Sequence, residues 1–90
     1  MPVFIVKRTL PGVTADGLKS AGQRAKTCCA DMSREGTSVR WIRSFFLPDS
    51  SQTHCYFEGA SREVVEEANR RAQLPFIEVT QAVEMTPESV

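Results

Sequence analysis

The spacing of hydrophobic positions switches between two periods along the chain, and each switch marks a new element. Val3 to Arg8 is a short run with β-branched residues, closed by Pro11-Gly12, and reads as a first strand. From Thr14 the period lengthens. Leu18, Ala21, Ala25, Cys28 and Met32 recur every three or four residues, which places them on one stripe of a helix that Thr14 caps and Gly36 ends. Ser38 to Leu47, with Val39, Trp41, Ile42, Phe45 and Phe46, carries the strongest β signal and is apolar on both faces. Pro48-Asp49-Ser50-Ser51 then turns the chain into Gln52 to Phe57, the partner strand of a hairpin. Ser61 caps a second helix through Ala72, with Val64, Val65, Ala68 and Ala72 inward and Glu63, Glu66, Glu67, Arg70 and Arg71 outward. Pro75 stops that helix. Phe76 to Met85 alternates as a last strand, with Ile77, Val79 and Val83 on one face.

The order is β-α-β-β-α-β, which predicts an α+β domain of the ferredoxin-like kind: a four-stranded antiparallel sheet with two helices on one face. It occupies residues 1–85, and residues 86–90 are expected to form a flexible tail. The sheet face away from the helices would meet water, yet the second strand offers apolar side chains there too. A second copy packed sheet to sheet covers that face, so the expected assembly is a homodimer resembling an α/β barrel. Chain length points the same way, because 90 residues bury only about 60–65% of the surface exposed when unfolded.

Composition narrows the function classes. Lys plus Arg and Asp plus Glu each number 11, so no basic surplus invites nucleic acid or an anionic membrane. The balance is uneven along the chain: residues 1–46 hold eight basic and three acidic side chains, and residues 47–90 hold three and eight. No run approaches the roughly 20 apolar residues of a membrane span, and no leader pattern opens the chain, so a cytoplasmic protein is expected. Cys28, Cys29 and Cys55 lack framework or Cys-x-x-Cys spacing, which favours reduced thiols over disulfides or a zinc site.

Several stretches together resemble a family of small bacterial ferredoxin-like proteins, long catalogued as a domain of unknown function, that includes a nickel-binding member. They are Pro2-Val3-Phe4-Ile5-Val6 with Arg8, the Trp41-Ile42-Arg43-Ser44-Phe45 strand, Cys55 with Phe57, Ser61-Arg62-Glu63, and Leu74-Pro75. The resemblance implies a small binding protein whose ligand or metal site, for nickel or another divalent transition metal, lies at the open sheet face or a dimer interface. It also exposes departures. Where the family usually has His, Gly and Tyr, this chain has Ala68, Gln73 and Phe57, and the first of these removes an imidazole from the second helix.

His54 is the only histidine, so one chain cannot build a multi-histidine site. Strand alternation puts His54, Tyr56 and Glu58 on one face and Cys55 and Phe57 on the other. His54 and Glu58 are therefore the candidate metal ligands, and Trp41, Arg43 and Tyr56 the candidate ligand-binding residues. An ordinary half-exposed strand explains the same pattern. Adjacent His54 and Cys55 point to opposite faces and form no nucleophilic dyad. The alternative is a cofactor-free isomerase resembling the tautomerases, with Pro2 or His54 as general base. With Met1 removed, Pro2 is a secondary amine at the start of a strand, and Arg8, Arg40 or Arg43 would lower its pKa and hold a carboxylate substrate.

Overall fold

Strict alternation sets the first strand, β1 (Val3–Thr9), in which Phe4, Val6 and Arg8 are buried, Val3, Ile5 and Lys7 half-exposed and Thr9 exposed. The computed structural model, which describes all 90 residues, continues with α1 (Ala15–Arg34), β2 (Val39–Leu47), β3 (Gln52–Gly59), α2 (Arg62–Arg71) and β4 (Glu78–Ala82). The helices start at the residues whose hydroxyls satisfy orphan N–H groups. Thr14 Oγ1 accepts from the Gly17 N–H at 3.0 Å, and Ser61 Oγ from the Val64 N–H at 3.3 Å.

Both helices also end alike, in a left-handed residue that folds the chain back on the last turn. Gly36 (φ +102°) lets the Thr37 N–H reach the Met32 carbonyl at 2.9 Å. At the end of α2 the same place is held by Gln73 (φ +57°), and the Leu74 N–H reaches the Asn69 carbonyl at 3.0 Å. A glycine would fit that backbone without steric cost.

The strands pair antiparallel throughout in the order β2-β3-β1-β4, the ferredoxin-like arrangement. Both helices lie on one face. The core between them and the sheet is built from Phe4, Val6, Val39, Cys55, Phe57 and Val79 below and Ala25, Cys29, Met32, Val65, Ala68 and Ala72 above. In α1 it is Cys29 that is buried, while Cys28 sits half-exposed at the edge of the stripe on which the spacing had placed it. The helical period leaves either within reach of the core, and the tilt of α1 decides between them.

One expectation for the C-terminus is corrected. The last strand spans Glu78–Ala82, not Phe76 to Met85. Ala82 already faces Val3, so the next partner would be Pro2, which has no N–H to continue the ladder. Beyond it, Pro87–Ser89 form one exposed turn of 3-10 helix. No helix is long and apolar enough to cross a membrane.

Candidate functional site

The sheet separates two sets of candidate residues, and the register of β2 decides membership. His54, Tyr56 and Glu58 alternate with buried Thr53, Cys55 and Phe57, so all three point away from the helices. Arg43 lies opposite Tyr56 and Phe45 opposite His54, on the same open face. Tyr56 and Phe45 meet edge to face with ring centroids 6.0 Å apart. Val3 and Ile5 of β1 complete the apolar strip, and residues 82–85 run beside it to enclose a cavity of about 200 Å³ with Val3, Ile5 and Tyr56.

Trp41 does not belong to this face. The pairing of β2 with β3 slips between Trp41 and Arg43, a bulge that absorbs Ile42 as an extra residue. Trp41 therefore points to the helices, as do Ser44 and Phe46, while Arg43, Phe45 and Leu47 point away. A β-carbon on Gly22 of α1 would lie 3.1 Å from the Trp41 ring, so a glycine there gives the indole its seat. The indole N–H donates to Ser44 Oγ at 2.9 Å. Of the three candidate ligand-binding residues, the structure brings Arg43 and Tyr56 together and sends Trp41 to the other side.

The candidate metal ligands share a face without converging. His54 and Glu58 are four residues apart on one strand, about 13 Å along it. Glu58 is engaged by Arg40, whose Nη2 donates to Oε1 at 2.9 Å. His54 has Lys7 opposite it on β1 and Phe45 opposite it on β2. No three His, Cys, Asp or Glu side chains of the chain gather closely enough to hold a metal ion. Cys29 and Cys55 cannot supplement the open face, being buried on the helix side. Burial pushes the Cys29 thiol up to about 11, against the lowering effect of its hydrogen bond at the Trp41 backbone; the neighbouring Cys28 adds a smaller upward push. That keeps Cys29 a neutral thiol at physiological pH rather than a thiolate donor. The residues of a single chain therefore do not fit a nickel site.

Pro2 stands exposed at the head of β1. Arg8, one of the arginines expected to assist it, lies six residues down the strand, about 20 Å away. Arg40 is nearer, across Glu58 and Val3, but its guanidinium is committed to Glu58.

On the helix side is a residue whose role sequence reading missed. Arg8 is 2% exposed, and its guanidinium donates from Nη1 to the Pro75 carbonyl at 3.0 Å and from Nη2 to Asn69 Oδ1 at 2.6 Å. Asn69, itself 1% exposed, is held in turn by donating from Nδ2 to the Val65 carbonyl at 2.8 Å. The one available signal was phase: Arg8 falls in step with Phe4 and Val6 on the inward side of β1. Arg8 also lines a cavity of about 180 Å³ between α1 and the sheet, bordered by Trp41, Phe46, Thr53 and Cys55.

Comparison with known proteins places this architecture. The chain superposes on the crystal structure of SCO4226 from Streptomyces coelicolor A3(2) with a TM-score of 0.79, at 24% identity, over 93% of this chain and 99% of that one. At that identity the likeness establishes the fold. No curated protein matches the sequence. The family model described as "Nickel responsive protein SCO4226-like" matches residues 4–82, a span that runs from the first core residue of β1 to the last residue of β4. The chain belongs to the SCO4226-like nickel responsive protein family.

Proposed function

We propose that this chain is a homodimeric binding protein, with a second copy packed on the open sheet face and a small ligand or divalent transition-metal ion held between the two sheets. The observation that carries the proposal is the apolar character of that face. Phe45 is 56% exposed in the single chain, beside Leu47, Tyr56, Val3 and Ile5, and the adjoining Val83 and Met85 are more exposed still. A 90-residue domain gains most by burying such a strip against itself. The charges on the face suit a second copy. Lys7, Arg40 and Arg43 alternate with Glu58 and Glu78, so a two-fold axis through the face can set unlike charges opposite one another.

The family is described as nickel responsive, and a second copy is what a metal site here requires. Nickel favours imidazole and other nitrogen or thiolate donors. One chain offers a single imidazole on the face; two copies offer two. Tyr56 opposite Ile5 marks the centre of the sheet, and His54 lies one pleat from it, within reach of an axis through that centre.

Native mass spectrometry of untagged protein, with and without added nickel chloride, tests both halves. The wild type is expected as a dimer, the Phe45→Glu variant as a folded monomer by circular dichroism, and the His54→Ala variant as a dimer that retains less nickel. A monomeric wild type at millimolar concentration overturns the interface. Nickel retention unchanged by His54→Ala overturns the metal assignment while leaving the interface standing.

A further inference from the structure

The covered side of the sheet holds a charge that nothing in the chain neutralises. An arginine is permanently protonated, and one this deeply buried is ordinarily paired with a carboxylate. Arg8 is not. All the ion pairs of the chain, such as Lys7–Glu78, Arg40–Glu58 and Arg71–Glu35, lie at the surface, and Arg8 takes part in none. Its partners are two neutral oxygens, Asn69 Oδ1 and the Pro75 carbonyl, which use two of the five N–H donors and leave the positive charge uncompensated.

The adjoining cavity supplies the second half of a binding site. Nine of its thirteen lining residues are hydrophobic, and the polar exceptions are few: Arg8, Ser44 and Thr53 carry the side-chain donors and acceptors. Ser44 Oγ accepts from the Trp41 indole, which leaves its own O–H free to donate. Thr53 pairs with Arg8 across β1 and β3, placing its hydroxyl on the same side of the sheet as the guanidinium. An apolar chamber with a cation and a few hydroxyls at its wall is the chemistry of a pocket for a small apolar acid. The volume sets the size. A dry cavity of about 150 Å³ accommodates benzene, so 180 Å³ suits a ring or short chain bearing one carboxylate.

We infer that the cavity between α1 and the sheet binds a small aryl or short-chain alkyl monocarboxylate, with its carboxylate on Arg8 and its apolar body against Trp41 and Phe46. The site is independent of the open face, from which the whole thickness of the sheet separates it. The ligand supplies the counter-charge that the chain omits. A charge-assisted pair with the buried guanidinium then makes the carboxylate, and not merely the apolar body, the source of selectivity.

The test uses benzoate against benzamide, its neutral near-isostere, by isothermal titration calorimetry at fixed ionic strength. Benzoate is expected to bind the wild type about tenfold or more tighter than benzamide, the discrimination a hydrogen bond to a charged group confers. Arg8→Met is expected to erase that preference. Because removing Arg8 also unties Asn69, a second variant fills the chamber and leaves Arg8 in place. Ala21→Leu, from the half-buried wall of α1, is expected to abolish benzoate binding while circular dichroism and thermal unfolding report a folded domain. Equal affinity of the wild type for the two probes overturns the inference. So does benzoate binding that is undiminished in Ala21→Leu, or a benzoate preference that survives in Arg8→Met.

Discussion

The two faces of the sheet are made from the same four strands and spend their side chains differently. On the covered face Val6 and Phe57 exclude solvent almost completely, and the one cation among them is tied down by two hydrogen bonds. On the open face the aromatic pair of Phe45 and Tyr56 is left half in water, and the ion pairs Lys7–Glu78 and Arg40–Glu58 stand in solvent. Burial makes the first face the source of the domain's stability, at about 25 cal/mol per Å² of apolar surface removed from water. The second contributes little to folding of the single chain, and in the proposed dimer its apolar area is what a second copy would bury.

Truncating one aromatic on each face gives the largest contrast. Phe57→Ala empties the centre of the core and is expected to cost about 3–5 kcal/mol, a large part of the 5–15 kcal/mol that holds a typical domain together. Phe45→Ala loses an edge-to-face contact and little burial, at about 0.5–1.5 kcal/mol in the monomer. Urea unfolding of the two variants, at concentrations too low for association, measures both. Equal costs would mean that the open face is part of the folding core.

How far these assignments were legible depends on whether local pattern or distant pairing decides them. Thr14 and Ser61 announce the helices because a cap and the stripe it precedes are neighbours in sequence. The alternation of β3 needs no partner to be read, and it placed His54, Tyr56 and Glu58 together. Trp41 was lost to a bulge that exists only in the pairing of β2 with β3, and one inserted residue reverses every side chain before it relative to those after. The length of β4 was set by Pro2, a residue at the other end of the chain. The role of Arg8 was hidden for the same reason. Its partners lie 61 and 67 residues away, and nothing in the sequence of β1 shows an asparagine waiting on α2.

Alkaline pH separates the faces by a second route. Burial holds the folded-state pKa of Cys29 at about 11, above its ordinary value of 9.0. Above pH 9 the unfolded chain loses this proton first, so the unfolded state binds fewer protons than the native one and stability falls as pH rises. The contribution is complete below pH 9 and is lost by the time pH passes about 11. It amounts to roughly 3 kcal/mol on the scale of 1.36 kcal/mol per pKa unit. Denaturant melts of the wild type and Cys29→Ala between pH 8 and pH 11 isolate it, because the variant should lack that component of the decline. Alkylation at pH 8 should mark half-buried Cys28 before Cys29 or Cys55. Labelling of Cys29 at the rate of Cys28 would show that the covered face opens locally.

The smallest expected effect concerns the layer that does the covering. The two helices end in the same backbone figure, but one uses Gly36 and the other Gln73, and only glycine takes a positive φ without its β-carbon crowding the following carbonyl. The extra freedom that glycine brings to the unfolded chain works in the opposite sense, which limits the gain. Gln73→Gly is therefore expected to stabilise the domain by about 0.5–1 kcal/mol, a rise in midpoint of a few degrees for a chain of this length. Gly36→Gln should cost at least as much, since φ +102° lies further from the left-handed minimum than the +57° of Gln73. Neither substitution touches either face of the sheet. Benzoate binding and dimer formation should both survive Gln73→Gly unchanged, and a loss of either would mean that the end of α2, one residue before Leu74 in the cavity wall, sets the shape of the covered site as well as its stability.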